Sequence, residues 1–140
     1  MSFLIKFIVV FFSLLLYTHA DDRQLASALL YKATQAITNK ETPNIYIHHK
    51  EKIKFDFDFS KFNIVNNCKQ ADIVLLPTTK DLQKQCRKKI LFATNINTLK
   101  NKRVIGAFFW QKGRPNMIFY KKRLKQKRIK LNASFSKYIE

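Results

Sequence analysis

Apolar positions along the chain fall into patterns of three kinds. The first is a continuous run from Phe7 to Tyr17 behind a single charge, Lys6. Thr18-His19-Ala20 follows, with small residues at the positions a leader peptidase reads before Asp21. The run is about half the ~20 residues needed to span a bilayer. Residues 1–20 are therefore read as a cleaved signal peptide, with an uncleaved anchor as the alternative. Residues 21–140 are read as one α/β domain exported to the periplasm.

The second pattern is helical. Gln24 to Thr38 places Leu25, Ala28, Leu29, Tyr31, Lys32, Ala36 and Ile37 as a mostly apolar stripe. Asp21 or Asp22 is the expected cap, and Asn39 and Pro43 end the helix. Lys121 to Lys130 reads as a basic helix or its start. Ser134 to Ile139 reads as a final short helix with Phe135, Tyr138 and Ile139 on one side.

The third pattern is extended. Asn44–His48 is a short strand. Lys54–Phe62 alternates strictly, Phe55, Phe57 and Phe59 against Asp56, Asp58 and Ser60, as in an extended segment with one buried face. Lys61 to Val65 continues it as a loop or short strand. Ala71–Leu76 and Lys89–Ala93 are continuous apolar runs that suit buried parallel strands. Between them Thr79–Lys88 reads as a helix capped by Thr78 or Thr79, giving a βαβ crossover. Asn97–Asn101 is a shorter connection. Val104–Trp110 and Asn116–Tyr120 flank a Gly-containing gap and predict a hairpin. The sum is a single small Rossmann-like α/β domain: a mixed sheet of about five strands, a C-terminal hairpin and a basic helix.

Composition sharpens this picture. The 140 residues include 27 Lys plus Arg against 9 Asp plus Glu, a formal charge of +18. Without the leader and its Lys6 the charge is +17. Apolar residues make up 46%, too many for a disordered tail. The two Cys exclude a disulfide-dense miniprotein or a Cys-rich zinc module. An exported chain meets an oxidising compartment, so Cys68 and Cys86 are read as a disulfide, with two buried or free thiols as the alternative.

Candidate chemistry is sparse. His48-His49 would point to opposite faces of a strand, a poor arrangement for one metal. Asp56 and Asp58 share a face, but opposing the chain's positive charge explains them. Cys86 precedes Arg87-Lys88-Lys89, which would activate an unpaired thiol. No nucleophile elbow is present, and glycines only at 106 and 113 cannot build a phosphate loop. The chain is read as non-enzymatic, with no cofactor. Basic density is the strongest signal: seven of the ten residues 121–130 are Lys or Arg. It points to an anionic partner, either an acidic protein, anionic lipid or nucleic acid, against the plainer reading of a solvated helix face. Trp110, Arg114, Lys121, Lys122, Arg123 and Lys125 are the candidate contact residues, on the hairpin and the basic helix.

Over roughly residues 64–140 the order of motifs resembles the YfiR-like periplasmic family. The residues concerned are Cys68-x-x-Ala71-Asp72-Ile73-Val74-Leu75-Leu76 and Ile90-Leu91-Phe92-Ala93-Thr94. Next come Val104-Ile105-Gly106-Ala107-Phe108, Gly113-Arg114, Met117-Ile118-Phe119 and Ile129-Lys130-Leu131. Departures are the family's Gly pair as Gly106-Ala107, its acidic-then-Asn strand end as Tyr120-Lys121-Lys122, and its Ser pair as Asn132-Ala133. The chain is also shorter between the first helix and Cys68. The resemblance implies a small Rossmann-like regulator that binds and restrains the sensor part of an inner-membrane diguanylate cyclase, with redox-responsive disulfides. The partner expected on this basis is an envelope or inner-membrane protein, with a second copy of the chain as a further candidate.

Overall fold

The computed structural model describes residues 22–140, and the leader expectation lies outside them. Helix α1 runs over residues 22–38 and ends where Asn39 turns left-handed, at φ 54°. Asp22 already lies inside it and Asp21 outside the described residues. Its buried face is Ala26, Leu30, Ala33 and Ile37, together with Ser27 and Thr34. The expected stripe was therefore out of phase: Leu25 is 58% exposed, and Ala28 and Lys32 also face solvent. Two polar residues masked the true face. Both are satisfied, Ser27 Oγ donating to Arg23 O (2.8 Å) and accepting from Asp58 N (2.9 Å), and Thr34 Oγ1 donating to Tyr31 O (2.7 Å).

The six strands are β1 Asn44–Ile47, β2 Asn63–Ile64, β3 Ile73–Leu76, β4 Ile90–Ala93, β5 Val104–Gln111 and β6 Arg114–Phe119. They form one sheet in the order β2-β1-β3-β4-β5-β6, parallel except for β6. The parallel part follows the 2-1-3-4-5 order of doubly wound α/β sheets. β3 is buried along its whole length because both faces are covered.

The two faces differ. Ile45, Ile47, Ile73, Leu75, Phe92, Phe108, Met117 and Phe119 pack under α1, the aromatic segment and the C-terminus. On the other face Val74, Leu76, Leu91, Ala93, Val104 and Ala107 pack with Leu82, Leu99 and the bridged cysteines, flanked by partly buried Tyr46, Ile118 and Tyr120. The Cys68–Cys86 disulfide ties the 3₁₀ turn before β3 to helix α2, Lys84–Arg87, with Cα atoms 5.2 Å apart.

Three local expectations need correction. Residues 54–62 form no strand: they bend at Phe55 and turn at 59–62, where Phe62 N donates to Phe59 O (3.0 Å), and they lie over the sheet as a packing layer rather than pairing in it. Their rings run as a chain of contacts, Phe55–Phe57 (4.7 Å), Phe57–Phe108 (5.0 Å) and Phe59–Phe62 (5.1 Å). The crossover helix shrinks to four residues because Asp81 is left-handed (φ 59°) and Gln83 is extended. The hairpin gap shrinks to Lys112-Gly113, both at positive φ (52° and 74°), a type I′ turn. Pro115 then joins β6, which it can do because β6 is the edge strand.

Candidate interaction surface

α3 spans Lys121–Gln126, shorter than the basic run it begins. Its first N–H has a partner: Lys121 N donates to Glu140 O at 2.8 Å, so the C-terminus caps the helix. Leu124 is buried and anchors α3 over the sheet. Helix termination is a Schellman motif, Ile129 N donating to Leu124 O (2.9 Å) and Arg128 N to Lys125 O (3.0 Å). The left-handed position in that motif usually belongs to Gly; here it is Arg128, at φ 57°.

Arg123 does not face outward as a free contact. Its Nη1 donates to Leu99 O (2.8 Å) and Val104 O (2.9 Å), more weakly to Asn101 O (3.4 Å), and its guanidinium lies 4.5 Å from the Tyr120 ring centre. It therefore clamps the β4–β5 connection to α3. That clamp ties the β4–β5 connection, with exposed Lys100, Lys102 and Arg103, to α3, where Lys121 and Lys122 are exposed. The β4–β5 cations were absent from the sequence-based contact set. Asn101-Lys102-Arg103 was a visible signal, but only the fold shows which helix it meets.

The ion pairs between Lys or Arg and a carboxylate among the described residues are Arg23–Asp56 (3.3 Å) and Lys40–Asp72 (2.6 Å), and His49 Nδ1 hydrogen-bonds Glu51 Oε1 at 3.0 Å. None involves a cation after residue 72. Asp72 heads β3, and partial burial works to raise its pKa. The Lys40 ammonium and the Asn44 N–H outweigh that and hold the carboxyl below its ordinary value.

The hairpin and α3 do not form one surface. β6 runs antiparallel to β5 for six residues, about 17–20 Å, so Arg114 and Lys121 sit at opposite ends of the sheet edge. Arg114 is exposed, as expected. Trp110 is not: it shares the parity of Phe108, turns toward the aromatic layer and lies 4.6 Å from Phe55. It lines a cavity of about 280 Å³ with Phe55, Thr94 and Lys54. Trp110 Nε1 and Thr94 Oγ1 are buried there without partners.

His48 and His49 follow the end of β1 rather than continuing it, so their rings lie together, 4.1 Å apart, not on opposite faces. His48 Nε2 donates to Lys80 O at 2.7 Å. Among the described residues no three His, Cys, Asp or Glu side chains gather as a metal site. No helix among them is long and apolar enough to cross a membrane.

No protein-family model, curated protein or solved structure matches this chain. The candidate surface therefore stands on its own geometry. It consists of Lys100, Lys102, Lys121 and Lys122 at the end of the sheet where the parallel strands begin, and Lys125 on the next turn of α3.

Proposed function

We propose that this protein is an exported, non-catalytic binding domain that docks on an acidic segment of an envelope protein. Following the YfiR-like resemblance, the partner is an inner-membrane sensor or diguanylate cyclase, and binding restrains it. One observation carries the reading: Arg123 gathers two separate sets of cations, on the β4–β5 loop and on α3, with no carboxylate paired to either. Such a field steers an acidic partner and favours it over neutral ones. The intramolecular clamp makes the patch rigid, which lowers the entropic cost of docking.

The test is capture of the tagged mature domain after crosslinking in the envelope, in detergent and with nuclease present. A Lys100→Glu, Lys102→Glu, Lys122→Glu variant should recover at least about tenfold less of the partner, from loss of several favourable charge contacts. Lys112→Glu with Arg114→Glu, at the far end of the sheet edge, should recover it normally. Equal recovery by both variants would overturn the patch. A nuclease-sensitive catch would mean nucleic acid rather than a protein is what the charge holds.

A further inference from the structure

The left-handed turn at Arg128 sends residues 129–131 back along α3 toward the C-terminal 3₁₀ turn, Ala133–Tyr138. An open groove of about 700 Å³ results. Its floor is Leu124, Ile129, Leu131 and Ile139, and the last three are only partly covered. Its rim carries Lys121, Lys125, Arg128 and Lys130, with no acidic side chain lining it. This is the flank of α3 opposite the Arg123 clamp.

We infer that this groove docks the domain on a bilayer surface by taking an anionic phospholipid. The floor matches an acyl segment and the rim matches its phosphate. A basic margin around an apolar strip is how peripheral helices lie on anionic membranes, each Lys or Arg adding about fivefold to binding. Arg128 takes the left-handed position itself, at φ 57°, and lines the groove there. The groove shares Lys121 and Lys125 with the candidate surface, and the inference rests on the proposed function only for export.

Co-sedimentation with vesicles of phosphatidylglycerol and phosphatidylcholine, against vesicles of phosphatidylcholine alone, tests it. The wild-type domain should partition onto the anionic vesicles only. A groove variant, Lys125→Gln, Arg128→Gly, Lys130→Gln, should bind them on the order of a hundredfold less tightly. It should remain folded, because glycine relieves the turn at 128. A charge-matched control, Lys52→Gln, Lys84→Gln, Lys88→Gln, should stay within about threefold of wild type if position rather than net charge decides. Leu131→Gln, which changes no charge, should weaken binding about tenfold through lost apolar contact. Equal binding to both vesicle types, equal losses in the two triple variants, or an unaffected but folded Leu131→Gln would each overturn the inference. The vesicles hold no protein and the envelope capture is done in detergent, so either proposal fails without the other.

Discussion

Gly106 shows how far a single residue constrains this sheet. It pairs directly with Phe119 across β5 and β6. A Cβ built there would run into Ile118 O and into the Phe119 ring, 2.7 Å from its Cδ1. One obstacle is backbone in a paired strand and the other is a fully buried ring, so neither can swing aside. Gly106→Ala should therefore destabilise the domain by about 2 kcal/mol, in the range of overpacked cores, despite glycine's poor strand propensity. A urea midpoint equal to wild type would show that the strands separate at little cost. Arg123 and Trp110 teach the same lesson about contact residues. Both were legible as a cation and an aromatic in the C-terminal half. Their roles were not, because a side chain's target depends on strand parity and on which loop lies opposite. Arg123 commits its guanidinium to three carbonyls, and Trp110 turns inward with Phe108.

Among the elements, those with strong local patterns were legible and those held by tertiary contacts were not. The all-apolar runs of β3 and β4 announced buried parallel strands. The I′ turn was foreshadowed by Gly113, though a Lys at the first left-handed position hid its length. The apolar pattern locates α1 but not its phase, since Ser27 and Thr34 occupy its buried face. It overstates the length of α2, since nothing in residues 79–88 reveals a left-handed Asp81. At four residues α2 is far below the ~12 that make an isolated helix even marginal, so what holds it is the Cys68–Cys86 bridge and Leu82. The bridge closes an 18-residue separation over the thinner core face. Cys68→Ala with Cys86→Ala should cost about 3 kcal/mol in denaturant unfolding. Amide exchange should rise first in residues 82–89, while α1 keeps its protection. Uniform loss of protection, or none, would show that the thin face does not depend on the bridge.

For the whole molecule the dominant fact is charge. The described cations outnumber the described carboxylates severalfold, and among the described residues only Arg23 and Lys40 pair with a carboxylate, Arg23 with a largely exposed one. Exposed pairs contribute little, so screening them forfeits little. Repulsion among Lys and Arg crowded onto α3 and the β4–β5 loop outweighs that loss, and it acts against the compact state. At 0.5 M salt the screening length falls to about 4–5 Å, which removes most of that repulsion but not contacts such as Arg123 on its carbonyls. The melting temperature should therefore rise by a few degrees between 20 and 500 mM NaCl, about the shift that 1 kcal/mol produces in a domain of this size. A Lys125→Gln, Lys130→Gln variant, which leaves the left-handed turn at Arg128 unchanged, should melt higher than wild type at low salt and lose most of that advantage at high salt. A melting temperature that fell with salt would mean the surface charges are arranged attractively. In that case the cationic face would be part of what stabilises the fold. A rise would mean the domain keeps its cations at a cost in stability, as a surface does when charge is held for a partner.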